Sequence, residues 1–174
     1  DNHFVKDLKD IIKDYKKEFI NTSTGNNNFS HKYAIPINNC IEFEKKDVPL
    51  DPMTLGLLLG GGCFKENCIN FTNSEDDLFD YLDKEVKKFD CSLNTVNFEN
   101  HRQVIIKKPK GSATNPIKNI IKSLGLLECG SREKFIPKEY IYNSKEVRIG
   151  VLSGIINTDG YISKGVSANV STYS

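Results

Sequence analysis

Asp159 is the side chain whose position best suits chemistry. It closes the stretch Leu152-Ser153-Gly154-Ile155-Ile156-Asn157-Thr158-Asp159-Gly160, an apolar run with small residues inside it. A helix carries its negative end at the C-terminus, so a carboxylate there is disfavoured by the dipole. The position makes more sense for a metal ligand than for a stabilising residue. A related stretch, Leu55-Gly56-Leu57-Leu58-Leu59-Gly60-Gly61-Gly62, comes earlier, and Gly62 and Gly160 lie 98 residues apart. Where the later stretch has Asp159, the earlier one has Gly61, which offers no side-chain ligand. The other metal-binding residue types form no motif. Cys40, Cys63, Cys68, Cys91 and Cys129 make no C-x-x-C pair, and His3, His31 and His101 are not at zinc spacing. The five cysteines read as reduced, buried thiols of an intracellular protein.

The elements that must position Asp159 follow from the small residues. Gly56 and Gly60 are four apart and share one face of a helix, and Ser153, Gly154, Asn157 and Thr158 make a similar face in the second run. Such faces let two helix backbones approach closely. The two helices are expected to pack against each other about a pseudo-twofold axis, with positions 61 and 159 side by side at their ends. Each run is followed by a strand-like segment, Cys63-Phe64-Lys65 in one and Tyr161-Ile162-Ser163 in the other.

Elsewhere, helical spacing of Phe4, Leu8, Ile11, Ile12, Tyr15 and Phe19 predicts a helix over residues 3–20. Asn21 to Ser30 reads as a loop by composition, and Lys32 to Ile37 as a short strand. Pro49 and Pro52 delay any helix until the first motif. Phe64 to Thr72 reads as a hairpin turning at Lys65-Glu66-Asn67, with Ile69 and Phe71 on one face and Asn70 and Thr72 on the other. Ser74 is expected to cap a helix whose stripe is Leu78, Phe79, Leu82, Val86 and Phe89. Strands follow at Leu93–Glu99 and Arg102–Lys108, then a helix opened by Pro116 and ended by Gly125. The second motif begins at about Glu146, and Tyr161 to Ser171 reads as a second hairpin, with Asn169-Val170-Ser171 matching Asn70-Phe71-Thr72.

The paired runs resemble the motifs of the LAGLIDADG (DOD-type) homing endonucleases, in particular the endonuclease part of an intein. Leu152 to Gly160 matches the nine-residue motif, and Leu55 to Gly62, preceded by Asp51-Pro52, matches the intein-type variant. His31-Lys32-Tyr33-Ala34-Ile35-Pro36 resembles the segment before that motif, and the resemblance covers roughly residues 29–171. It implies an α+β fold with an αββαββα unit, a central pseudo-twofold helix pair and an incomplete second unit. The expected division is a helix and linker over residues 1–50, a first unit over 51–145 and a truncated second unit over 146–174. The linker would lead from a splicing domain that is separate or absent, and a second chain is a possible partner. Asp1 and Ser174 do not fit the ends of a splicing intein, so no self-splicing is expected.

The resemblance further implies binding of double-stranded DNA and Mg²⁺-dependent phosphodiester hydrolysis. Asp159 is the implied catalytic metal ligand, and Gly61 stands where the partner Asp is lost. Cleavage is therefore expected to be absent or reduced to nicking. Duplex DNA would lie on the strands. Candidate base readers are Asn70, Thr72, Asn94, Asn97, Arg102, Ser163, Asn169 and Ser171, and Lys65, Lys107, Lys108, Lys110 and Lys164 would meet phosphates. The alternatives are a non-catalytic DNA- or protein-binding relic, and a maturase-like RNA binder on the same scaffold. A glycine C-cap is the competing account of Gly60-Gly61-Gly62. Net charge is only +1, so any basic DNA face must be local, and no apolar run is long enough to span a membrane.

Overall fold

A computed structural model of the chain describes residues 7–33, 41–65, 68–99, 101–162 and 168–170, with residues 161–162 and 168–170 as backbone alone. Cys40, Ser163, Lys164 and Ser171, the turn residues Glu66 and Asn67, and the segment 34–37 lie outside the described residues. The architecture is α+β, with antiparallel sheets throughout. The chain divides into two compact units, Asp1–Cys40 and Ile41–Ser174.

In the first unit, residues 3–6 of the expected helix over residues 3–20 lie outside the described residues, and among the described ones only α1 (Leu8–Lys13) is helical. The side chain of Asp7 accepts from the Lys9 N–H at its start. From Lys16 the chain is extended: β1 (Lys16–Ile20) pairs with β2 (Asn27–His31) in a hairpin, so the expected loop over 21–30 shrinks to the turn around Gly25. The helical spacing of Tyr15 and Phe19 was coincidental, because aromatic and β-branched residues favour strands. Tyr15 stacks on His31, and the Lys16 ammonium lies 4.5 Å over the Phe29 ring. Lys32 and Tyr33, expected in a strand, instead bond the Asp14 carboxylate.

The second unit follows the expected element order. α2 (Pro52–Gly61) leads into β3 (Gly62–Cys63) and β4 (Ile69–Asn73). Then come α3 (Asp76–Lys87), β5 (Ser92–Asn97), β6 (Arg102–Lys107) and α4 (Pro116–Ser123). The strands form one antiparallel sheet in the order β3-β4-β6-β5. Ile69, Phe71, Val104 and Ile106 bury one face of it with Leu78, Phe79, Leu82 and Val86 of α3 and Ile117 and Ile121 of α4. The start of α3 differs from expectation. Ser74 does not cap it; Asn73 Oδ1 accepts from the backbone N–H groups of Ser74 and Glu75. Asn115 Oδ1 accepts from Ile117 and Lys118 at the start of α4, and Gly125, at φ +74°, follows its end. Among the four described cysteines only Cys91 is buried; Cys63, Cys68 and Cys129 are half-buried.

A short helix not expected from the sequence, α5 (Lys138–Ile141), precedes α6 (Lys145–Asp159). Its Tyr140 is fully buried; the phenol donates to the Leu50 carbonyl at 2.9 Å and accepts from the Leu50 N–H at 3.2 Å. Asn143 likewise donates to Lys46 O and accepts from Lys46 N–H. These bonds fix the approach to α2 against the approach to α6. Tyr140→Phe leaves both Leu50 groups without this partner and is expected to cost about 2 kcal/mol, measured by urea unfolding. Burial also pushes the phenol up to about 12. Its stabilising contribution is thus fully present below pH 10 and lost as pH rises toward 12, so Tyr140→Phe should also flatten the alkaline limb of the stability curve.

After α6, β7 (Gly160–Ile162) pairs with β8 (Ala168–Val170). Gly62 opposes Phe71 and Cys63 opposes Asn70 in the first unit, while Gly160 opposes Val170 and Tyr161 opposes Asn169 here. The two helix–hairpin junctions share one register.

Candidate functional site

α2 and α6 pack against each other through their glycines. A Cβ on Gly56 would strike the Val151 carbonyl oxygen and lie 2.8 Å from Gly154 Cα. A Cβ on Gly154 would strike the Met53 carbonyl oxygen and lie 2.6 Å from Leu57 N. At the far end, a Cβ on Gly60 would collide with the Thr158 hydroxyl and lie 3.4 Å from Asp159 Oδ1. The helices therefore stay in contact to their last turns, and the Asp159 carboxylate sits beside the end of α2. Asp159 is half-buried.

Gly61 is constrained differently. A Cβ there would lie 2.8 Å from Phe71 Cε2 and 2.9 Å from the Thr72 carbonyl oxygen. Its missing side chain would point into β4, where the Phe71 ring already fills the space. Gly62 caps α2 in an extended conformation (φ −90°, ψ 161°), and a Cβ there would strike the Leu58 carbonyl oxygen, so a glycine C-cap accounts for Gly62 but not for Gly61.

The sequence reading missed the group that satisfies the end of α2. Lys134 Nζ donates to the carbonyls of Leu58 (3.2 Å), Leu59 (2.8 Å) and Gly62 (2.6 Å), a cation placed at the negative helix end. A turn at Gly130, whose N–H donates to Glu133 Oε2, carries it there. Burial lowers the Lys134 pKa, and Asp159 and the thiols of Cys63 and Cys129 act against that shift. A basic residue in an irregular segment carries no periodicity, so only its distance from α2 in space reveals the role.

The register sorts the expected DNA-contacting residues. Asn70 opposes Ile105 and Thr72 opposes Gln103; across β6, Asn94 opposes Ile105 and Ser92 opposes Lys107. Asn70, Thr72, Asn94, Gln103 and Lys107 thus share the sheet face turned away from the core. Asn70 is only 7% exposed and accepts from the Cys68 thiol, so it is set into that face. Gln103, not foreseen, donates to the Thr72 hydroxyl at 3.4 Å in the middle of the face. Arg102 and Asn97 oppose each other on the other side. There the Arg102 guanidinium stacks 3.8 Å over Phe79 and pairs with Asp76, tying it to α3. Lys65 is exposed beside Gly130, Lys108 and Lys110 lie exposed beyond β6, and Asn169 is placed only by its backbone in β8.

Among the described residues, no three His, Cys, Asp or Glu side chains gather to hold a metal ion. No described helix is long and apolar enough to cross a membrane. No protein-family model matches the chain, and no curated protein sequence does.

Proposed function

We propose that this chain is a LAGLIDADG-type unit resembling the endonuclease part of an intein, and that it binds duplex DNA on the outer face of the β3-β4-β6-β5 sheet. One observation carries the reading: two glycine-packed helices end side by side at Gly61 and Asp159, and each turns into a hairpin of the same register. The outer face adjoins that end through Thr72, so DNA lying on Asn94, Gln103 and Lys107 would run toward Asp159. The donor set suits Mg²⁺ only in part. Asp159 supplies one carboxylate, and a magnesium ion commonly takes one or two, with phosphate oxygens and water completing its shell. Such an ion, held by Asp159, would lower the pKa of a bound water and neutralise phosphate charge. Lys134 holds the α2 carbonyls and keeps the helix ends in place. With Gly61 offering no second carboxylate, the expected activity is weak nicking or none. The packing of Phe71 on Gly61 favours a second reading, a binding protein that no longer cleaves.

Selection from a randomised duplex pool, followed by a plasmid nicking assay with Mg²⁺, tests both readings. Under the first, wild type nicks the selected site. Asp159→Asn then binds it equally well but nicks at least about 100-fold more slowly, because even partners outside a metal's ligand shell are worth 10–100-fold. Binding without nicking in either protein leaves the relic reading. Failure to select any duplex sinks both.

A further inference from the structure

We propose that the cleft between the end of β6 and α4 holds a sugar–phosphate backbone of the bound duplex, gripped by Lys118 and Lys122 of α4. This inference rests on the reading of the sheet as a DNA-binding face. The cleft has a volume of about 540 Å³, and Lys107, Lys108, Lys118 and Lys122 line it with no carboxylate among the described lining residues. The whole chain balances 24 Lys and Arg against 23 Asp and Glu, so four lysines around one cleft are a local concentration of charge. The cleft continues the outer sheet face, because Ile105 and Lys107 belong to both. A duplex lying on that face would pass its flanking backbone into the cleft.

α4 carries one lysine near its start and one in its last turn, where the helix dipole favours a cation. Lys118 stands in the first turn, where the helix dipole disfavours a cation. Lys122 follows four residues later on the same face, so the two ammonium groups repel each other. A polyanion in the cleft would offset the repulsion between the two ammonium groups. Asn119, exposed between them, adds an amide donor at the rim. Contacts of this kind position a duplex without reading its sequence, so they should act equally on every DNA.

The test is the salt dependence of binding to a selected duplex by wild type, Lys118→Gln/Lys122→Gln and a control, Lys84→Gln/Lys87→Gln, which removes the same charge from α3. Each phosphate contact contributes about 0.9 to the slope of log K against log salt. The α4 variant should lose about 1.8 from that slope on specific and nonspecific duplexes alike, and the control almost nothing. Lys122→Gln alone, at an exposed position, should lose about 0.9 and covers the case in which the half-buried Lys118 is needed for folding. Wild-type slopes in the α4 variants overturn this inference while leaving the DNA-binding reading intact. Equal losses in variant and control also overturn it, because long-range charge then accounts for both. Absence of duplex binding by wild type overturns both.

Discussion

Gly154→Ala is expected to lower stability by about 3 kcal/mol or more. Overpacking a core typically costs about 1–3 kcal/mol when side chains can yield, and here the added methyl meets the backbone of Met53, Leu57 and Gly56. A domain is stable by only about 5–15 kcal/mol, so such a loss removes much of the margin. Gly56→Ala meets the backbone of Val151 and Gly154 from the opposite side and should act similarly. The two changes push the same helices apart, so the double variant should lose less than the sum of the single losses. Urea unfolding followed by circular dichroism checks this. A loss below about 1 kcal/mol for Gly154→Ala would mean that α2 and α6 are not in backbone contact.

Restoring the carboxylate at position 61 should fail by itself. Gly61→Asp drives a Cβ to 2.8 Å from the Phe71 ring and places a second negative charge at a helix end beside Asp159. The expected cost is about 3 kcal/mol, with no gain in nicking. Phe71→Val opens the space, and Val is the residue at the matching register position, Val170 opposite Gly160. Phe71 is fully buried, so Phe71→Val alone should cost about 2 kcal/mol. The double variant should be more stable than the two losses predict, by at least about 1 kcal/mol of favourable coupling. If a metal site can be rebuilt there, Mg²⁺-dependent cleavage should appear in the double variant before it appears in Gly61→Asp. Strict additivity would mean that the Phe71 ring is not what excludes a side chain at 61.

Local patterns carried the second unit well. The α2-β3-β4-α3-β5-β6-α4 order is written in proline starts, period-2 strands and stripes such as Leu78, Phe79, Leu82 and Val86. Where reading failed, the deciding interaction was remote or the signal ambiguous. Tyr15 and Phe19 fit a helical spacing, yet pairing with residues 27–31 made that segment a hairpin. α5 has four residues, too few to show a period, and its Tyr140 acts on Leu50, ninety positions away. The glycine faces predicted the helix pair, but not that Lys134 would close one end of it or that Phe71 would occupy the place of a lost carboxylate. The strand periodicity separated two faces in β4; it could not say that Arg102 would turn toward α3.

α2 has no polar side to show to water: Thr54, Leu55, Gly56, Leu57 and Leu58 are all buried. That burial comes from the elements that follow directly and above all from α6, whose Val151 and Gly154 are buried against it. On a ribosome adding about 5–20 residues per second, the 83 residues between Gly61 and Lys145 take about 4–17 s to appear. During that interval α2 is an apolar segment without its partner, and contacts of such long sequence separation form late in folding as well. The glycines that allow the closest packing in the native protein thus sit in the segment most exposed to aggregation while the protein is being made. Yield in the cell should therefore depend on synthesis rate and chaperone supply more steeply than the stability of the finished fold would suggest.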